Sequence, residues 1–295
     1  MVPRAVLVER PSEYDELLAR HATHEQVRFF LAQRGRAVEE VLERHAALAA
    51  THRAVLGAVP ADWRAATVLR ADLDRFLFEP DDVVLALGQD GLVANVAKYL
   101  DGQPVIGLNP DPAHVPGVLV RHPPEAAGDL IADLTRGTAR VEERTMARAA
   151  LDDGQEVLAL NEIFVGHATH QSARYTIALG DRRERQSSSG VIAATGTGAT
   201  GWAASINRQL AAPLQLPGPS DGELTFFVRE AWPSSVTATT LTAGRIAGGE
   251  RLQIVCELGE GGTIFGDGIE ADRVAVDWGQ RIEIGAASRT LRLLR

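Results

Sequence analysis

One uninterrupted apolar run, which ends at a glycine, constrains the fold more than any other feature: Val83-Val84-Leu85-Ala86-Leu87. Such a run predicts a strand that is covered on both faces, as in a parallel sheet. A glycine turn follows it, then a helical pattern over 92–100 and a second buried strand over 104–108. This alternation of strands and helices predicts an α/β domain with a parallel sheet.

The residues before this run are expected to form strands and a group of helices. A β-rich run covers 5–8, a further strand is expected over 67–69, and Ser12 with Asp15 three residues later is typical of a helix start. Apolar residues recur at helical spacing as far as Gly57, with breaks near His21 and Gly35. Two or three helices are therefore expected between the two strands.

The pattern changes after about His122. A helix is expected over 125–135, and beyond it short strands separated by Gly, Asp and Pro predict a β-rich domain with one helix at about 199–210. The expected strands cover 142–149, 156–165, 173–179, 190–194, 223–228, 251–257 and 281–284. We therefore expect an α/β N-terminal domain with a parallel sheet over 1–122 and a β-rich C-terminal domain over 123–295. The last segment either stays in the second domain or returns to the first.

Charge and composition exclude several classes of protein. The chain has 30 Lys+Arg against 39 Asp+Glu, a net charge of −9, and lacks the dense basic face that nucleic-acid binding requires. Its one cysteine, Cys256, rules out an intramolecular disulfide and favours a reducing compartment. No apolar stretch suits a signal peptide or a membrane span. We expect a cytoplasmic protein with neither a nucleic-acid nor a membrane partner.

The turn Gly88-Gln89-Asp90-Gly91 carries the first candidate functional residues. Glycines at a strand end let backbone N–H groups approach an anion, and the start of the next helix adds a favourable partial charge. A carboxylate there would repel phosphates, so Asp90 is a candidate base or an indirect metal partner. The alternative is that Asp90 only caps the helix, and spacing does not separate the two. Lys98, the only lysine, is not placed as a Walker-type loop requires.

A second strand runs into the turn Thr195-Gly196-Thr197-Gly198-Ala199-Thr200-Gly201-Trp202. A helix is again expected to open on several free N–H groups, which with three threonine hydroxyls would bind one polyanion. A flexible surface hairpin is the alternative, and the apolar flanks disfavour it.

Asn161 and Glu162 are embedded in the apolar pattern of one expected strand. Side chains alternate across a strand, so at least one of the two should enter the interior and need a partner. A ribose diol supplies donors to both groups, whereas a structural ion pair of the glutamate is the alternative.

Other polar groups carry weaker signals. Two histidine pairs, His21 with His24 and His167 with His170, have helical spacing but no third ligand, so no metal site is predicted. Gly266-Asp267-Gly268 is interpreted as a hairpin turn rather than as a third acidic contact.

Together, in this order, the motifs resemble those of the NAD kinase family. Its Gly-Gly-Asp-Gly-Thr motif is similar to residues 88–92, its Asn-Glu pair to 161–162, its Thr-Pro-Thr-Gly-Ser-Thr-Ala-Tyr segment to 195–202, and its Gly-Ile-Asn strand end to 105–109. The segments 109–112, 206–208 and 229–230 resemble the divergent branch that contains the mitochondrial-type NAD kinases.

This resemblance implies the NAD kinase fold and a phosphotransferase that uses ATP and Mg²⁺. The γ-phosphate would pass to the 2′-hydroxyl of the adenosine ribose of NAD, giving NADP, and Asp90 would take the proton from that hydroxyl. A homodimer or larger homo-oligomer is implied as well. The implied nucleotide-binding residues are Gly88, Gly91, Asn109, Asn161, Glu162, Thr195, Thr197, Gly198, Thr200 and Trp202.

Departures from the family pattern keep two other hypotheses open. Ser189 and Trp202 stand where many members have Asp and Tyr, which motivates a diverged kinase acting on another nucleoside or small alcohol. Gln89 and Leu92 stand where the family has Gly and Thr, which motivates a non-catalytic NAD(P)-binding regulator.

Overall fold

The computed structural model describes residues 2–295 and divides into two compact units. One unit contains the residues up to Val141 together with Arg292–Arg295, and the other contains Glu142–Leu291. The expected fold class, an α/β unit followed by a β-rich unit, is confirmed.

The first unit contains five α-helices and a parallel sheet. Its helices are α1 Glu13–His21, α2 His24–Ala32, α3 Val38–Gly57, α4 Asp90–Ala97 and α5 Ala127–Arg136. Its strands are β1 Arg4–Glu9, β2 Arg64–Leu69, β3 Asp82–Leu87 and β4 Pro104–Leu108. They pair in the order β2-β1-β3-β4, all parallel, and residues 292–293 of the last strand of the chain pair with β4.

Local sequence explains these elements. All six residues of β3 are buried, as a strand covered on both faces requires. Ser12 caps α1 in a capping box with Asp15, since each side chain takes the other residue's backbone N–H. The expected helix breaks near His21 and Gly35 are confirmed.

The strand order fixes where a ligand would approach this sheet. From β1 the chain crosses to β2 on one side and then to β3 on the other side of β1. In open parallel sheets, ligands bind outside the carboxyl ends of strands at such a reversal of strand order. The carboxyl ends of β1 and β3 lie side by side there, and β3 leads into Gly88.

Helix α5 belongs to the first unit. Its Ala127 and Ile131 are buried in one apolar cluster with Leu85 and Ile106 of the sheet. The unit therefore extends to Val141, beyond the boundary after residue 122 that the change of pattern indicates.

The second unit is built from two sheets around one core. Its strands are β5 Val141–Leu151, β6 Glu156–Ala159, β7 Glu162–His167, β8 Ala173–Leu179, β9 Arg182–Ser188, β10 Val191–Ala194, β11 Leu224–Val228, β12 Ala243–Ile246, β13 Leu252–Cys256, β14 Gly262–Gly266, β15 Val274–Val276 and β16 Arg281–Leu294. One sheet has the order β12-β11-β10-β7-β14-β15; in the other, β16-β13-β8-β9 are neighbours and β5 pairs with β16 and β6. Apolar side chains of both sheets share a single core cluster, for example Ile163 and Phe226 with Ile177 and Ile254.

The strands β9, β12, β14 and β15 are absent from the expected set, and β16 runs on to Leu294 instead of ending at residue 284. Two further elements of this unit differ from expectation. The strand expected over 156–165 is broken at Leu160 and Asn161, because the N–H groups of these two residues donate to the carboxylate of Asp267. The helix expected over 199–210 is shorter: a 3-10 turn over Gly198–Thr200 precedes α6, Trp202–Asn207. Within residues 2–295, no helix combines the length and apolar character that crossing a bilayer requires.

Candidate functional site

Asp90 is the first residue of α4, and a separate loop holds its carboxylate. Its Oδ1 accepts the backbone N–H groups of Leu119 at 2.7 Å, Val120 at 3.0 Å and Val118 at 3.1 Å, and Oδ2 accepts that of Val118 at 2.8 Å. Gln89, not Asp90, occupies the N-cap position. The alternative in which Asp90 only caps its helix is therefore wrong.

The loop reaches Asp90 because two glycines let it pass close to the sheet. A Cβ built on Gly107, within β4, would lie 2.1 Å from the carbonyl oxygen of Leu119. A Cβ on Gly117 would lie 2.3 Å from the carbonyl oxygen of Val120. Any side chain at either position would thus displace the amides that bind the carboxylate.

Asn109 shapes the same loop from the end of β4. It is buried; its Nδ2 donates to the carbonyl oxygen of Val115 at 2.8 Å, and its Oδ1 accepts the N–H of Asp111 at 3.0 Å. Its backbone N–H donates to the carbonyl oxygen of His122, the far end of the loop. Each polar atom of the Asn109 side chain therefore already has one partner within the protein.

The turn after β10 satisfies its own polar groups. The N–H groups of Thr197 and Gly198 donate to the hydroxyl of Thr195 at 3.1 and 3.2 Å, and that hydroxyl donates to the carbonyl oxygen of Leu160 at 2.5 Å. The N–H groups of residues 199–201 bond to carbonyl oxygens within the turn. The expectation of several free amides is thus wrong for residues 197–201.

A buried ion pair supports this turn from within the unit. Arg144 is fully buried; it donates to the hydroxyl of Thr197 at 3.2 Å and lies 3.3 Å from Glu142, whose side chain is also buried. Leaving one member of such a pair without the other is costly, so the pair fixes the position of Thr197. The sequence alone does not reveal this pair, because alternating Glu142 and Arg144 look like any pair on the solvent face of a strand.

Asn161 and Glu162 lie where β6 gives way to β7. The carboxylate of Asp267 accepts the N–H of Asn161 at 2.6 Å and that of Leu160 at 3.0 Å, and the N–H of Asp267 donates to the carbonyl oxygen of Glu162. Asp267 follows β14 with a φ of 55°, in the turn that leads toward β15. The expected turn is present, and its carboxylate also fixes the backbone of the Asn-Glu pair.

Glu162 is the titratable group with the most unusual environment in this cluster. Burial, and then the charge of Asp267, raise the pKa of Glu162 to about 7 from an ordinary value of 4.5. A carboxyl group with a pKa near neutrality changes its hydrogen-bonding capacity in the physiological range, since only the protonated form can donate.

Trp202 opens α6 and lies in an aromatic stack. Its ring lies parallel to that of Phe164 at 6.3 Å between centroids, and the guanidinium of Arg229 lies 5.1 Å from its centre. Phe164 in turn covers Gly166 and Gly190, where a Cβ would come within about 2.5 Å of its ring. Trp202 keeps 37% of its surface exposed, so one part of the ring is open to a ligand.

The residues proposed from the sequence thus form one group in each unit. Gly88, Asp90, Gly91 and Asn109 lie at the carboxyl ends of β3 and β4. The group in the second unit lies at the start of β7 and the end of β10: Asn161, Glu162, Thr195, Thr197, Gly198, Thr200 and Trp202. Across residues 2–295, no three His, Cys, Asp or Glu side chains are grouped so that they could hold a metal ion.

Comparison with known proteins adds independent information. No family model matches the chain. An NAD kinase of Chlorobaculum tepidum is 28% identical over 135 residues, and one of Methylococcus capsulatus is 32% identical over 140; each match covers 45% of this chain and 47% of the relative. The chain therefore spans about half the length of these curated relatives. NAD kinase 2, mitochondrial, of Rattus norvegicus is 27% identical over 264 residues, 72% of this chain and 62% of that protein.

A solved structure shares the fold. It is the crystal structure of an NAD kinase from Archaeoglobus fulgidus in complex with ATP, with a TM-score of 0.58 and 17% identity, and the match covers 100% of this chain and 94% of that one. The chain is thus similar in sequence to proteins named NAD kinase, and it has the fold of one whose structure is solved. The segments whose sequence resembles NAD kinase motifs are the Asp90 turn, the Asn161-Glu162 pair and the turn over 195–202, in that order along the chain.

Proposed function

We propose that this chain is an NAD kinase, which transfers the γ-phosphate of ATP to the 2′-hydroxyl of the adenosine ribose of NAD and yields NADP. The observation that carries the proposal is the placement of Asp90 at the carboxyl end of β3, with its carboxylate fixed by the amides of residues 118–120. Similarity to named NAD kinases in both sequence and fold supports it.

The hydrogen bonds of Asp90 support Oδ2 as the oxygen that would act as the base. An ionised carboxylate offers about four lone-pair sites on two oxygens. Three amides donate to Oδ1 and only one to Oδ2. Oδ2 therefore keeps the capacity to accept the proton of the ribose hydroxyl. As the O–H bond breaks, the ribose oxygen forms a bond to the γ-phosphorus, and the bond to the β-phosphate oxygen breaks to release ADP.

The remaining candidate residues would position the substrates. Gly88, Gly91 and Asn109 would shape the phosphate region beside Asp90, with Asn109 acting through its loop. Glu162 and Asn161 would hold the ribose hydroxyls of NAD, because a carboxylate and an amide together accept and donate the bonds that a diol needs. The other residues of the second group would line the dinucleotide: Thr195, Thr197, Gly198, Thr200 and Trp202.

Mg²⁺ would bind to the protein together with ATP. The described residues offer no cluster of three ligands for a metal ion. Mg²⁺ is commonly held by substrate phosphates and water with few protein ligands, so this arrangement fits a cation carried by ATP. Bound there, it would neutralise the charge of the phosphates.

Three finer features complete the proposal: the branch of the family, the compartment and the oligomeric state. The longer match to the mitochondrial-type protein, over 72% of this chain against 45% for the bacterial relatives, supports the divergent branch. A single buried cysteine, Cys256, suits a reducing compartment, and we propose a cytoplasmic protein. A homodimer or larger homo-oligomer is proposed from the family resemblance.

Incubation of the purified chain with NAD, ATP and Mg²⁺ tests the activity. We expect NADP, detected by an NADP-specific dehydrogenase, in an amount equal to the ADP released. If ADP forms only when another nucleoside or a small alcohol is supplied in place of NAD, that compound is the acceptor. Calorimetric binding of NAD without any turnover across ATP and polyphosphate donors would instead identify a regulator and refute the kinase.

A further inference from the structure

The peptide group between Val118 and Leu119 is bound by opposite charges at its two ends. Its N–H, that of Leu119, donates to Oδ1 of Asp90 at 2.7 Å, the shortest of the four bonds that this carboxylate accepts from the loop. Its carbonyl oxygen, that of Val118, accepts the Nε–H of Arg121 at 2.7 Å. One peptide group thus connects the guanidinium of Arg121 to the carboxylate of Asp90.

The two bonds of this peptide group strengthen each other. A peptide group carries a dipole whose positive end is the hydrogen and whose negative end is the oxygen. A cation at the oxygen polarises the group further and makes its N–H a stronger donor to an anion. The same peptide turned over would direct its oxygen toward Asp90 and its N–H toward Arg121, and both ends would then be repelled. The guanidinium therefore favours the orientation in which Asp90 is bound.

Arg121 holds the exposed end of the segment that donates its amides to Asp90. Within residues 2–295, no other residue forms a hydrogen bond to the carbonyl oxygen of Val118. Leu119 and Val120 are buried, with 3% and 1% of their surface exposed, whereas Val118 keeps 41% exposed. Packing therefore anchors the Leu119 side of the peptide group, and Arg121 anchors the Val118 side.

The orientation of this peptide group matters because it distinguishes the two oxygens of Asp90. Oδ1 accepts three amides and Oδ2 accepts only that of Val118. If the 118–119 peptide rotated, Oδ1 would lose its shortest bond, and the carboxylate would be freer to turn about its last side-chain torsion, which has broad minima. Oδ2 would then no longer be held as the oxygen that is available to a hydroxyl proton.

We propose that Arg121 is a positioning residue of the kinase reaction, which acts on Asp90 through the 118–119 peptide. It keeps the N–H of Leu119 on Oδ1 and thereby keeps Oδ2 available to the acceptor hydroxyl. The inference rests on the proposed function, because it concerns the base of that reaction. Since Arg121 orients the base, its loss should change kcat more than substrate affinity.

Steady-state kinetics of NADP formation by the full chain test this role. Arg121→Ala should lower kcat by about tenfold, because the base loses its productive orientation, and should leave KM for NAD within about twofold of the wild type. Arg121→Lys keeps a cationic donor and should recover most of the lost rate. Guanidinium ions, added below the concentration that unfolds the protein, should raise kcat of Arg121→Ala but not that of the wild type.

The matched control is Arg34→Ala. Arg34 is likewise an exposed arginine of the first unit that donates to a backbone carbonyl oxygen, that of Phe30 at 3.0 Å. Amide hydrogen exchange over 118–120, followed by mass spectrometry without substrates, gives a second readout. It should be about tenfold faster in Arg121→Ala than in the wild type, and unchanged in Arg121→Lys and Arg34→Ala. Circular dichroism and thermal unfolding check that the variants fold.

If NADP forms and kcat is equal in Arg121→Ala and Arg34→Ala, the inference about Arg121 fails alone. A raised KM at unchanged kcat would also overturn it, since Arg121 would then bind substrate instead of orienting the base. So would a loss of kcat that neither lysine nor guanidinium restores, with unchanged exchange over 118–120.

If the wild type forms no NADP, the proposed function fails, and the role of Arg121 in that reaction fails with it. The exchange measurement still separates the two failures. Faster exchange in Arg121→Ala would show that Arg121 fixes the peptide that binds Asp90, and unchanged exchange would show that it does not.

Discussion

Two turns of this chain look alike in sequence and differ in structure. Each follows a buried strand, contains glycines and leads into a helix. At the first, the carboxylate of Asp90 is held by amides 28 to 30 residues away along the chain. At the second, the hydroxyl of Thr195 binds amides only two and three residues ahead.

The difference suits the two turns to different roles in the proposed kinase. Asp90 is fixed on one side by the loop and keeps an oxygen available, which suits proton transfer. The Thr195 turn is closed on itself and backed by Arg144, which suits a surface that holds a ligand without changing shape. The following substitutions test this distinction, beginning with the largest expected effect.

Asp90→Asn should reduce the rate of NADP formation by about 10²- to 10⁴-fold, because an amide cannot take the hydroxyl proton. The variant should fold, since the amide oxygen can still accept from the loop. Steady-state kinetics measure the effect, with thermal unfolding as the check on folding. A rate within about twofold of the wild type would remove Asp90 from the chemistry.

Gly107→Ala should lower kcat by about 100-fold, because the new methyl group would meet the Leu119 carbonyl and move the amides that hold Asp90. Gly128→Ala is the matched control in the same unit, where a Cβ has an ordinary contact of 3.6 Å with Ala58. Steady-state kinetics of both variants measure kcat. Full activity in Gly107→Ala would show that the loop does not position the base.

Glu162→Gln should stabilise the protein at high pH. Because the pKa of Glu162 is raised to about 7 from 4.5, the folded state holds a proton that the unfolded state loses between these values. Wild-type stability should therefore fall as pH rises through this window, by on the order of 3 kcal/mol, and the variant should escape that loss.

Urea unfolding at pH 5 and pH 8 measures this change, and Glu143→Gln, at an exposed acid of the same unit, is the control. If the free energy of unfolding changes equally between pH 5 and pH 8 in the wild type and in Glu162→Gln, Glu162 does not hold a proton in the folded state near neutrality. If the ionised form holds the ribose, NAD should also bind the wild type more tightly above pH 7 than below it.

Thr195→Val should cost about 1–3 kcal/mol of unfolding free energy, because two amides and one carbonyl group would lose their buried partner. Thr200→Val should cost less, since that residue is exposed and makes a single bond to the Thr197 carbonyl. Chemical denaturation compares the two. A larger loss of unfolding free energy in Thr200→Val than in Thr195→Val would show that the Thr195 hydroxyl does not hold the turn together.

Local patterns predicted much of the fold and where its motifs lie. The apolar run over 83–87, the Ser12 cap and the helix breaks depend on neighbouring residues, so the sequence shows them directly. The same apolar run predicted that Asp90 follows the end of a strand.

Contacts between distant segments escaped prediction. The break at Leu160 and Asn161 depends on Asp267, 106 residues beyond Asn161, and no spacing rule connects them. The loop that holds Asp90 has no motif of its own. Gly107 and Gly117 are the positions where the backbone of this loop approaches so closely that a Cβ would clash with it.

A crystal structure of the protein with NAD tests the central claim most directly. The account predicts that the 2′-hydroxyl of the adenosine ribose lies about 2.6–3.2 Å from Oδ2 of Asp90, while Oδ1 keeps its three amides. A bound NAD whose ribose hydroxyls all lie beyond the reach of Asp90, even through one water, would contradict it.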